Sequence, residues 1–195
     1  MSMTPGRWIG VAVIAAMIVG VAALTLVCAT QLRAQISGPH PFDPVAAVLQ
    51  NPRCLNCHPR GDTPTNGDIG RPHLMKITRG PDGYGAPGAR CSACHRSENS
   101  EITFVPGAVN WRIAPKSMGW QGVSKAELCA ALKDQNLNGG RDLAALVKHM
   151  GTDPDPLVLW AWNPGKGRAP APIPHAEFVR LLMVWADAGG PCPAS

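Results

Sequence analysis

Two strings in the chain share one five-residue frame, CLNCH at 54–58 and CSACH at 91–95. Each sets two thiols three positions apart with an imidazole directly after the second: Cys54, Cys57 and His58, then Cys91, Cys94 and His95. Four chemistries use such residues: haem held through thioethers, structural zinc, a redox dithiol, and a structural disulfide.

Haem attachment needs two thiols spaced to meet two vinyl groups and a histidine that rises against the iron, and the frame meets both needs. A zinc knuckle would use four thiolates and leave both histidines without a task. A thioredoxin-like dithiol sits at a strand-to-helix junction of a βαβ pattern, and no such pattern surrounds either frame. The expectation is two covalently bound haem c groups, with His58 and His95 as proximal ligands.

The compartment bears on the same choice. Residues 8–28, WIGVAVIAAMIVGVAALTLVC, carry no charge and lie between Arg7 and Arg33. As a helix rising 1.5 Å per residue, this stretch spans about 30 Å, the hydrocarbon thickness of a bilayer. It is long for the apolar region of a secretory signal, so an uncleaved anchor is expected, with cleavage near VCA (27–29) as the alternative. Leu26 and Val27 fit poorly before a lipidated Cys28. Either way residues 35–195 face an oxidising space. Arg7 and the terminal amine favour an N-inside orientation, which places the body of a bacterial inner-membrane protein in the periplasm. Of seven cysteines, Cys129 and Cys192 remain outside the frames and the apolar stretch, and an even pair in that compartment is expected to form a disulfide.

Removing Arg7 and Arg33 from the 18 Lys+Arg, against 13 Asp+Glu, leaves a formal charge of +3. That mild excess, with no basic run, excludes nucleic acid as a natural partner.

The elements that must position the frames are helices and loops. Residues 1–34 form the anchor segment, 35–44 a linker and 45–195 the main domain. Twenty prolines and 21 glycines make long regular elements improbable over 45–122, where turn formers dominate. The stretch 45–52 reads as a short helix broken by Pro52. Helices are clearer over 123–195. SKAELCAALKDQ (124–135) opens on a capping box, Ser124 with Glu127. RDLAALVKHM (141–150) repeats Leu143, Leu146, Val147 and Met150 at helical spacing and ends at Gly151. HAEFVRLLMVWADAGG (175–190) carries Phe178, Leu181, Leu182 and Trp185 on one face. No comparable strand pattern occurs. The fold class is mainly α with long irregular loops: a compact domain of the dihaem cytochrome c type behind a transmembrane helix.

The chain resembles a dihaem c-type cytochrome and, more narrowly, small exported dihaem proteins labelled isoquinoline 1-oxidoreductase subunits. The narrower resemblance rests on PRCLNCHPRGDTPTNGD (52–68), RGPDGYGAPGARCSACH (79–95), APKSMGWQG (114–122), LKDQNLNGGRDLAALVKHM (132–150), LVLWAWNPGKGR (157–168) and the closing CP (192–193). It implies an electron-transfer subunit, not itself an enzyme, taking electrons from a dehydrogenase such as a molybdenum hydroxylase and passing them to another cytochrome or an oxidase. A dihaem peroxidase with one open haem side is the enzymatic alternative. A haem-based sensor would need a cytoplasmic output domain, and only seven residues precede the apolar stretch.

A carrier fills both axial positions of each iron. Three residues compete for two distal positions. His73 sits in the loop GRPHLMK, His149 at the edge of the 143–150 apolar stripe, and Met118 on a loop between Pro115 and Gly119. His40 and His175 are weaker candidates, and Met75, Met150 and Met183 read as packing. Trp111, Trp120, Trp160, Trp162 and Trp185 read as packing or as walls around the haem edges.

Overall fold

In the computed structural model, residues 20–21, 23–28 and 39–194 are described, and the chain divides into two units, Met1–Pro39 and His40–Ser195. In the first unit residues 20–21 and 23–28 are helical and exposed. Most of the anchor expected over 8–28 lies outside the described residues. Among the described residues no helix is long and apolar enough to cross a membrane.

The second unit is mainly helical with little strand. Its first helix, α1 (Asp43–Leu49), has its proline near the start, where the missing N–H costs nothing. It buries Val45, Ala46, Val48 and Leu49. The linker expected over 35–44 ends earlier than its composition suggests. Phe42 is fully buried and meets Trp185 at a centroid separation of 5.2 Å. Pro52 does more than break a helix: it begins α2 (Pro52–Leu55), which Asn51 caps by accepting from the Arg53 N–H at 2.9 Å. That short helix carries Cys54 into place.

The loop-rich part holds two minimal antiparallel hairpins that the sequence pattern does not announce. β1 (Thr65–Asn66) pairs with β2 (Arg71–Pro72), and β3 (Gly85–Ala86) with β4 (Ala89–Arg90). Two-residue strands have no alternation to read.

Three further elements build the core with α1. Helix α3 (Lys125–Lys133) opens on the full Ser124/Glu127 capping box, worth about 1 kcal/mol. Helix α4 (Leu143–Val147) is capped by Asp142 and runs into one π turn, Lys148–Thr152. Gly151 therefore lies inside the element and does not end it, and Val179 passes 3.2 Å from where a Cβ would stand, a close approach the missing side chain permits. A four-residue helix, α5 (Pro156–Leu159), and a 3-10 turn, Trp160–Trp162, follow; both are too short to show a period. The last helix, α6 (His175–Asp187), buries Phe178, Leu182 and Trp185 against α1, α4 and the π turn. Its continuation, turned by Gly189 and Gly190 at φ +81° and +63°, is tied back to α3 by the Cys129–Cys192 disulfide.

Candidate cofactor sites

Two cavities open in the second unit, of about 340 and 810 Å³, both within the range of small-molecule sites. Cys54, Cys57 and His58 line the smaller; Cys91, Cys94 and His95 line the larger. Cys57 reaches both. The walls are mostly apolar.

Each frame is held by the chain that follows it. Cys57 O accepts from Ala114 N at 2.9 Å and His58 O from Trp120 N at 3.0 Å, clamping the 114–120 loop under the first frame. The His58 Nδ1 lies 2.9 Å from the Met118 carbonyl, and Trp120 stacks on the imidazole at 3.6 Å and 8°. The second frame repeats the arrangement. His95 Nδ1 lies 2.6 Å from the Pro106 carbonyl, with Trp111 stacked at 4.4 Å and 8°. A carbonyl only accepts, so each Nδ1 carries the proton and each Nε2 keeps its lone pair for a ligand. A glycine follows each acceptor. A Cβ on Gly119 would stand 2.9 Å from the Arg60 Cα, and one on Gly107 2.1 Å from the Glu98 carbonyl oxygen. The glycines let both loops close tightly on the frames.

Burial sets the protonation of these groups. Desolvation pushes the Cys54 thiol up to about 12 and the Cys57 thiol up to about 11, the latter helped by nearby Cys91. Burial also raises Cys91. It pushes His58 down to about 4 against the opposing pull of the Met118 carbonyl, and it lowers His95 in the same way. Neutral imidazoles suit metal ligation. Raised thiols are the reverse of the depressed values that make a redox dithiol reactive. The four frame cysteines are free of disulfides. Among the described residues no three His, Cys, Asp or Glu side chains gather at a point that could hold a bare ion.

The distal candidates fall one to a cavity, with Met118 as a third. His149 lines the smaller cavity with His58 and is close enough to help hold that imidazole neutral. Burial likewise lowers His149. His73 lines the larger cavity opposite His95, the two rings 6.0 Å apart between centroids and inclined at 65°. Its Nδ1 is 2.7 Å from the Leu74 carbonyl, which again frees Nε2. A metal held by two imidazoles would need about 2 Å to each nitrogen. The separation leaves room for a ligand between the His73 and His95 rings. Met118 also lines the smaller cavity, but its carbonyl already serves His58 from behind.

The weaker candidates are engaged elsewhere. His40 Nδ1 accepts from the Phe42 N–H at 3.1 Å, and His175 Nε2 lies 3.0 Å from the Met150 carbonyl against Trp162. Met75 is exposed and lines the larger cavity, Met150 is core, and Met183 is exposed on α6.

Sequence reasoning missed the two stacked tryptophans as imidazole supports, the paired carbonyls, and Arg53. Their signal lay in MGW (118–120) and PGAVNW (106–111), where a glycine directly follows the acceptor and a tryptophan comes shortly after. Compared with known proteins, the chain matches no family model, no curated protein and no solved structure.

Proposed function

We propose that residues 40–195 form a dihaem c-type cytochrome that carries electrons. Cys54 and Cys57 would hold one haem and Cys91 and Cys94 the other. His58 and His95 would be the proximal ligands, with His149 and His73 available as the distal ones. The observation that carries the reading is that each cavity contains one Cys-x-x-Cys-His frame together with a second histidine.

When bound, haem supplies one-electron exchange between ferric and ferrous iron. The protein's part is to hold and insulate. The Met118 and Pro106 carbonyls fix the His58 and His95 tautomers and raise the basicity of each Nε2. Trp120 and Trp111 brace those rings, and the mostly apolar walls would limit water at a bound haem, which favours the less charged, reduced state. A second histidine in each cavity, His149 beside the first frame and His73 beside the second, could fill the position a peroxidase would leave open, and this supports the carrier over the enzyme.

The proposal extends to the setting: attachment to a bacterial inner membrane through 8–28, the body in the periplasm, electrons arriving from a dehydrogenase such as a molybdenum hydroxylase and leaving to a cytochrome or an oxidase. Carbon monoxide added to the reduced protein tests the carrier reading. An unchanged Soret spectrum is expected; a shift at one centre would favour the peroxidase-like alternative.

A further inference from the structure

The two cavities share a wall. Arg53, Cys57, Arg112 and Trp160 line both. Two of the four are arginines, and they differ in one respect. Arg112 has a partner at both terminal nitrogens: its Nη2 is 2.7 Å from Asp155 Oδ2 and its Nη1 3.1 Å from the Asn110 carbonyl. Arg53 does not. Its side chain is 1% exposed, its Nη2 meets Asp68, and its Nη1 has no partner. The guanidinium carbon lies 5.5 Å from the Trp160 ring centroid. The charge is paired with Asp68, but a buried guanidinium nitrogen left without an acceptor is costly, and a bound ligand can supply that acceptor. Arg79 also has unpaired nitrogens, but it pins the Pro59 and Gly61 carbonyls and lines neither cavity.

The geometry points to Arg53 as a carboxylate-binding residue in the wall between the two centres, one fixed positive charge that sets the potential of both. The inference rests on the dihaem reading. The carboxylate has two possible sources, a haem propionate or a free anion admitted to the wall. A guanidinium offers it a planar fork that a lysine cannot reproduce. Arg53 is a positioning residue: it binds no electron, and its charge favours whichever state of each iron carries one electron more.

The test is a redox titration of the intact holoprotein with dithionite as donor, after pyridine haemochrome has counted the haems. Counting first separates failure of the dihaem reading from failure of this proposal. Arg53→Gln is expected to lower the reduction equilibrium at both centres at least tenfold, 59 mV for a one-electron couple. Arg53→Lys, which keeps the charge and loses the fork, shifts both in the same direction by less, and it decides the matter if the glutamine variant fails to load haem. Wild-type potentials that ignore added acetate assign the carboxylate to a propionate. Potentials that follow acetate, and cease to in Arg53→Lys, assign it to a free anion. A shift confined to one centre, or to neither, in a variant that retains two haems overturns the proposal.

Discussion

His73 and His95 face each other across the larger cavity, centroids 6.0 Å apart, although 22 positions separate them in sequence. The His95 ring is fixed from behind by Trp111 and the Pro106 carbonyl. His73 stands on a loop followed by two residues with left-handed backbone, Met75 at φ 64° and Lys76 at φ 52°. His149, by contrast, sits beside buried Met150 in the π turn packed on α6.

Distal substitutions should therefore act on one centre at a time. His73→Ala converts half of the low-spin haem to high-spin and admits carbon monoxide there, leaving the His58 centre unchanged. His149→Met exchanges imidazole for a thioether, which favours reduced iron, and raises one potential by at least 59 mV, tenfold in equilibrium. Electron paramagnetic resonance and redox titration read both outcomes.

The Cys129–Cys192 disulfide spans 63 positions. By the chain-entropy account, closing a loop of that length stabilises the fold by about 4 kcal/mol. Cys129→Ala with Cys192→Ala should lower the unfolding midpoint in denaturant by a corresponding amount, while the haem spectra of the folded protein persist. Circular dichroism against guanidinium concentration measures it.

Asp155 links the wall arginine to a helix start. It opposes Arg112 at 2.7 Å and accepts from the Leu157 N–H at 2.9 Å. Burial alone would raise its carboxyl, but the Arg112 and Leu157 hydrogen bonds prevail and hold it below its ordinary 3.8. A carboxylate depressed in the folded state contributes stability that is fully present above 3.8 and fades as pH falls below it. Asp155→Asn keeps the cap and loses the charge. It should cost roughly 1 kcal/mol at neutral pH and flatten the acid limb of the stability–pH curve.

Much of this architecture was legible beforehand because its signals are local. The two frames are contiguous strings, the Ser124/Glu127 box is a four-residue pattern, and the apolar face of α6 repeats at helical period. The Cys129–Cys192 pairing followed from parity and compartment. What escaped depends on long-range closure. No spacing rule assigns His73 to His95 and His149 to His58. Trp111 and Trp120 read from sequence as packing or as walls around the haem edges; that they stack on His95 and His58 appears only once the loops fold under the frames. Nothing local marks Arg53 for burial, and only the placement of α2 makes it a buried residue. The π turn at 148–152 stands where a simple helix end was expected, and Gly151 within it packs beside Val179 of a helix far along the chain.

Intact-mass analysis of the purified protein, paired with its pyridine haemochrome spectrum, bears most directly on the central claim. The account predicts a polypeptide mass increased by two haem groups that survive denaturation, with a c-type haemochrome at two per chain. A mass without haem, or zinc bound at Cys54, Cys57, Cys91 and Cys94, would contradict it.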